Sequence, residues 1–190
     1  MNLRIERKGS ESLVSYEQVP ISFEIHGRVD LTLLEDIGSV ETVPCFPRRK
    51  DYDEASDQRP TQLALRYDIA NWPILMVYEG DTVVGGAILA PPKSGYELPG
   101  AQNGSGIMVD LRVHPSMRQR GVGRALISAA ISLAHHLGWE EILVETQDTN
   151  LAACQFYANM GFSVRSIDRE AYGTSLDEAQ IIWRFKLGES

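Results

Sequence analysis

The chain has 190 residues, of which 43% are hydrophobic and 23% charged, and it carries a net charge of −8 at pH 7. That length suits one α/β domain with its own core, so residues 1–190 are expected to form a single domain. There is no apolar run of membrane-spanning length, no leader pattern at Met1–Ser10 and no broad basic face, which argues against nucleic-acid and membrane binding and points to a cytoplasmic globule.

In chain order, residues 21–29 (ISFEIHGRV) read as a strand, and LTLLEDIG after them fits either a short strand or the start of a helix. The stretch 44–60 (PCFPRRKDYDEASDQRP) is Pro-rich and charge-dense with almost no apolar pattern, which predicts a mobile loop. From Thr61, TQLALRYDIANW has a Thr cap and helical spacing, and should end at Trp72 just before Pro73. ILMVYEGDTVVGGAIL is a hairpin with its turn at Glu79 to Asp81. A Pro/Gly loop over 91–106 leads to the strand IMVDLRV (107–113), bounded by His114 and Pro115. From Gly121 to about Leu137 apolar residues recur at helical spacing, and Gly138 stops the run. EILVETQ is a buried strand, NLAACQFYANM a helix closed by Gly161, and FSVRSIDREAY and AQIIWRFKL are two more strands joined by a turn near Gly173. The order predicts an α/β sheet of mixed direction.

Charge is unevenly spread along this plan. Between Asp110 and Glu140 there is no Asp or Glu, whereas Arg112, Arg118, Arg120, Arg124 and three histidines fall inside. Charge alone would fit a solvated basic helix face. The glycines decide for an anion site. In Arg118-Gln119-Arg120-Gly121-Val122-Gly123 a strand and a short turn lead into a helix, so unpaired backbone N–H groups sit at the positive end of its dipole. Glycine lets that backbone approach an anion without a Cβ in the way, and arginine adds charge-assisted hydrogen bonds. The P-loop pattern G-x-x-x-x-G-K-[ST] is absent, and the dinucleotide fingerprint fails because Leu126 stands where its third glycine belongs. A pyrophosphate ligand other than ATP or NAD remains. Cys45 and Cys154 form no C-x-x-C pair and no cluster has metal-ligand spacing, so neither a disulfide framework nor a metal is expected.

The arginine-glycine turn, preceded by VDLRVHP, resembles the R/Q-x-x-G-x-G/A loop of the GNAT N-acetyltransferases. Asn150 to Phe162, NLAACQFYANMGF, resembles that family's N-x-x-A-x-x-[FL]-Y-x-x-x-G-F helix, and the two blocks stand in the right order, one helix and one strand apart. Within the family, VETQDTNLAACQFYANMGF with SIDREAY beyond it is similar to the streptothricin acetyltransferases, as is FEIHGRV near the start. The likeness is specific over 107–187 and thin over 20–90. The loop 91–106 is longer than theirs, and RRKDYDEASDQR replaces their acidic linker; both are segments that could flank the acceptor pocket.

The resemblance implies an α/β (α+β) fold: a mixed, mostly antiparallel twisted sheet flanked by helices, with acetyl-CoA bound at the splay between the two central strands. Its cosubstrate would be acetyl-CoA, with no metal, and its partner a small-molecule primary amine, streptothricin-like, with room for a homodimer. Leu111, Arg112 and Val113 on the strand, Arg118, Gln119, Arg120, Gly121, Val122, Gly123 and Arg124 in the turn, and Asn150, Ala153 and Tyr157 on the later helix would hold the cosubstrate. The family's tyrosine, here Tyr157, would protonate the departing thiolate.

Two carboxylates invite chemical roles. Glu145 lies mid-strand among apolar residues, where a carboxylate must pair or work, and is expected to be the general base, directly or through water. Asp110, flanked by Val109 and Leu111, is expected to hold the substrate ammonium, with general base as the alternative role. Cys154 lies next to no obvious histidine and reads as an ordinary packed cysteine, which disfavours a covalent acyl-cysteine. His135 and His136 complement the helix dipole. The rival readings are an enzyme that acetylates a protein lysine or N-terminus and an acyl-CoA-binding sensor without turnover.

Overall fold

A computed structural model describes residues 3–173 and 177–188. Its strands are β1 (Leu3–Lys8), β2 (Phe23–Val29), β3 (Thr42–Lys50), β4 (Ile74–Glu79), β5 (Thr82–Ala90), β6 (Ser105–Val113), β7 (Glu141–Gln147), β8 (Ser163–Asp168) and β9 (Gln180–Lys186). Its helices are α1 (Leu13–Glu17), α2 (Leu31–Ile37), α3 (Leu63–Arg66), α4 (Val122–His136) and α5 (Leu151–Asn159). Seven strands form one sheet in the order β1-β4-β5-β6-β7-β9-β8, while β2 and β3 pair separately. Every neighbouring pair is antiparallel except β6 with β7, and a parallel pair needs a crossover, which α4 supplies. This is the mixed, mostly antiparallel sheet flanked by helices that was expected.

Apolar side chains fill both faces. On one, α4 buries Val122, Leu126, Ile127, Ala130 and Ala134 against Met108, Ile142 and Trp183. Leu126 and Ile127 are wholly buried, which stabilises the fold by roughly 1.5–3 kcal/mol each. On the other face, Leu13, Tyr16, Leu63 and Trp72 cover Ile74, Met76, Ile88 and Leu143. Gly86 in β5 is required here, because a Cβ would lie 2.5 Å from the Tyr16 ring and 2.6 Å from the Leu75 carbonyl oxygen. Among the described residues no helix is long and apolar enough to cross a membrane, and no cluster of three His, Cys, Asp or Glu could hold a metal ion.

One open reading is settled and several local expectations change. LTLLEDIG is a helix: the Asp30 side chain caps the N–H groups of Thr32 and Leu33, and Gly38 closes it at φ +68°. The stretch 44–60 is not a loop throughout. Residues 42–50 pair with β2, the prolines are tolerated on a strand with one free edge, and the chain then continues in 3-10 turns to Gln62. Its charges have internal partners: Arg48 and Lys50 bind Glu178, and Asp53 binds Arg112. The helix read over 61–72 shrinks to Leu63–Arg66. Thr61 bonds to Glu17 instead of capping, and Tyr67 leaves the helix to pack on Trp72 and Tyr96. The strand expected from FSVRSIDREAY stops at Asp168, and Gly173 has a turn geometry at φ +67°, but the rest of that turn lies outside the described residues. β1 and α1 had no reading from sequence.

The Glu178 pairs carry a pH dependence. Burial alone would raise its carboxyl pKa, but Lys50, Thr149 and Arg48 hold it below its ordinary value. A depressed folded pKa stabilises above the unfolded value, near 4.3, and the contribution is lost as pH falls through the folded pKa. The stability gap between wild type and Glu178→Gln in urea should therefore be full at pH 7 and close as pH drops below about 4. A gap that does not change with pH would show that the ion pairs contribute nothing.

Candidate active site

The site begins where two central strands part. β6 and β7 pair in parallel from Ser105 with Glu141 to Met108 with Val144, and no further. The cause lies on the other edge of β6: Ile88 of β5 faces Asp110 while its neighbour Leu89 faces Met108, so Val109 is an inserted bulge residue. A bulge bends its strand and adds twist. Beyond it, Val109 to Val113 and Val144 to Gln147 line a cavity of about 1090 Å3.

At one end of the cavity stands the N-terminus of α4. Gln119 (φ +59°) and Gly121 (φ +86°) take left-handed conformations that turn the chain into the helix. No side chain caps α4, no acid lies in its first turn, and the N–H groups of Gln119 to Arg124 have no acceptor among the described residues. Arg118, Gln119, Gly121, Gly123 and Arg124 line the cavity, and Arg118 Nε is steadied by the Val113 carbonyl at 3.1 Å. Arg120 and Val122 are not among the lining residues; Arg120 lies beside Met117, and the Val122 side chain is in the core. Free N–H groups at a helix N-terminus with two arginines beside them suit an anion.

Arg112 and Asp110 differ from their expected roles. The Arg112 guanidinium is 2% exposed and turned into the protein, bonded to Asp110, to Asp53 and to the Val19 carbonyl. Burial works against its charge, yet the two carboxylates raise its pKa, so it stays a cation. Asp110 takes two bonds from Arg112 and one from the Tyr16 hydroxyl. It is already paired with a buried cation, which is a physical reason to move the ammonium-holding role away from it.

Glu145 is placed otherwise. Tyr172 donates to its Oε1 at 2.5 Å and Gln180 to its Oε2 at 3.0 Å, and no Lys, Arg or His among the described residues lies within ion-pair distance. A carboxylate with only neutral partners in a cavity suits a cationic or proton-donating guest. Tyr157 on α5 is 4% exposed and lines the same cavity, and no described group hydrogen-bonds its hydroxyl. Burial, reinforced by Asp110, Tyr52 and Cys154, raises its pKa, so it remains a proton donor. Asn150 caps α5 by accepting from the Ala153 N–H at 3.2 Å. Cys154 is fully buried beside Thr146, and burial pushes its thiol up to about 12, which leaves no thiolate for acyl transfer at neutral pH.

The far end of the cavity is lined by Tyr52, Asp53, Tyr67, Tyr96 and Tyr172. Sequence reasoning assigned no role to Tyr52, Asp53, Tyr96 and Gln147. Of these only Gln147 carried a signal, standing two residues after Glu145 in the VETQD run.

Residues 40–162 match the acetyltransferase (GNAT) family, and the chain belongs to that family. It is 35% identical over 86 residues to streptothricin acetyltransferase A of Bacillus subtilis (strain 168), covering 44% of this chain and 50% of that protein. It is 29% identical over 99 residues to N-alpha-acetyltransferase 30 of Xenopus laevis, covering 51% of this chain and 34% of that one. The chain thus spans half or less of the curated relatives it matches. In fold it is similar to a candidate streptothricin acetyltransferase from Bacillus anthracis str. Ames solved with acetyl coenzyme A, with a TM-score of 0.75, 24% identity, and coverage of 97% of this chain and 99% of the other.

Proposed function

We propose that this chain transfers the acetyl group of acetyl-CoA to a primary amine of a small molecule of the streptothricin type. The observation that carries the reading is one continuous cavity lined by the free helix N-terminus of α4, the splayed β6 edge, Glu145 and Tyr157. The residues fit the cosubstrate: the free N–H groups of Gln119 to Arg124, with Arg118 and Arg124, suit a pyrophosphate, and the unpaired edge of Val109 to Val113 suits an amide-bearing arm. Acetyl-CoA, when bound, supplies an activated acyl carbon and a thiol leaving group.

Glu145 takes the proton of the incoming ammonium, directly or through water. Tyr157 gives a proton to the departing sulfur and is held protonated by burial. The ammonium-holding role passes from Asp110 to Glu145, while Asp110 and Arg112 hold β6 and the 52–54 turn in place. A small-molecule acceptor suits this site because Tyr52 from the 52–54 turn, Tyr67 after α3 and Tyr96 from the 91–106 loop give the cavity aromatic walls.

Release of free thiol from acetyl-CoA should be measured over a panel of amines: streptothricin, lysine, polyamines, aminoglycosides and lysine-bearing peptides. Turnover with streptothricin and not with peptides is the expected result. Turnover with peptides alone would overturn the acceptor assignment, and acetyl-CoA binding without any turnover would favour the sensor reading.

A further inference from the structure

We propose that Gln147 is a positioning residue for Glu145, steering the Tyr172 proton onto that carboxylate. The inference rests on the reading of Glu145 as base. Gln147 Nε2 lies 2.9 Å from the Tyr172 hydroxyl and 3.4 Å from Glu145 Oε1. Its Oε1 accepts from the Tyr52 hydroxyl, which faces Asn150 Nδ2 at 3.4 Å. Asn150 Oδ1 is committed to the Ala153 N–H as the cap of α5.

The chemistry forces the direction of this chain. An amide has one donating and one accepting end, and the end beside Glu145 must be the NH2 group, because a carbonyl oxygen there would face a carboxylate oxygen. Once Gln147 donates to Tyr172, that hydroxyl has its single proton left for Glu145 Oε1. Tyr172 and Gln180 therefore each fix one oxygen of Glu145, and its remaining lone pairs are left for the cavity. Tyr52 and Tyr96 face the same charge from the 52–54 turn and the 91–106 loop, both as neutral phenols. Gln147 thereby ties the base to the turn that roofs the acceptor chamber and to the helix that carries Tyr157.

The test combines a mutant cycle with a spectroscopic readout. Gln147→Met and Tyr172→Phe should each lower kcat about tenfold, the loss of one hydrogen bond to a charged network, with KM for acetyl-CoA unmoved. The double variant should fall no lower than the lower single variant, because both act through one proton. In proton NMR the half-buried, hydrogen-bonded Tyr172 hydroxyl, identified by its loss in Tyr172→Phe, should shift or broaden in Gln147→Met, and less so in Tyr52→Phe. Losses that multiply to about a hundredfold would show that Gln147 acts without Tyr172, and an unchanged hydroxyl signal in both Gln147→Met and Tyr52→Phe would also overturn the proposal. If the wild type acetylates no amine, the functional reading fails, while the hydroxyl signal still decides the orientation.

Discussion

Glu145→Gln and Tyr157→Phe should each lower kcat by about 10²–10⁴-fold and leave KM for acetyl-CoA within about twofold. An alkylammonium has a pKa near 10.4, so presenting it neutral at pH 7 costs roughly 4–5 kcal/mol, and Glu145 is a cavity carboxylate with no cation beside it, on the strand that parts from β6. Glutamine keeps the shape and the bond from Tyr172 but cannot take a proton. Phenylalanine at 157 removes one oxygen from a ring that packs between Phe156, Phe162 and Trp183, so the core survives and the proton donor is lost. The pH profile of the Phe variant tests the donor. Because burial raises the Tyr157 pKa, the hydroxyl stays protonated through neutral and mildly alkaline pH. The Phe variant should therefore run parallel to wild type, lowered uniformly. A Phe variant within threefold of wild type would remove Tyr157 from the proposed mechanism.

Legibility from sequence followed locality. The α4 turn and the α5 helix could be read because their determinants lie within about a dozen residues: Gly121 at positive φ, Asn150 capping Ala153, and Gly161 at φ +86° after the helix. The β4–β5 hairpin and β6 were legible for the same reason. The roof of the chamber was not. RRKDYDE has no apolar period, since its order comes from partners far along the chain: Asp53 pairs with Arg112, 59 residues on, and Tyr52 meets Asn150, 98 residues on. Asp110 illustrates the same limit at the site. Its place on a strand flanked by Val109 and Leu111 was readable, but Arg112 two residues later points to the same face and neutralises it. Whether a carboxylate pairs or stays free is decided by tertiary geometry, and Glu145 and Asp110 differ in little else.

Arg112→Met should destabilise the protein by about 3–5 kcal/mol, which for a chain of this size lowers Tm by roughly 6–20 °C. The guanidinium joins three segments that are far apart in sequence: Asp110 on β6, Asp53 in the 52–54 turn and the Val19 carbonyl after α1, and it also lies over the Tyr16 ring at 5.2 Å. Removing it leaves two carboxylates facing each other with no cation between them. Asp53 and Asp110 keep 20% and 15% side-chain exposure, so water relieves part of the penalty and the lower half of the range is favoured. Arg112→Lys should rescue little, because one ammonium cannot serve two carboxylates and a carbonyl in the planar fork geometry that Arg112 uses. Adding Asp53→Asn to Arg112→Met should recover part of the loss by removing one uncompensated charge. Thermal unfolding of the four proteins followed by circular dichroism decides the point. A Tm for Arg112→Met within about 2 °C of wild type would mean that this network is not what holds the roof of the chamber to β6.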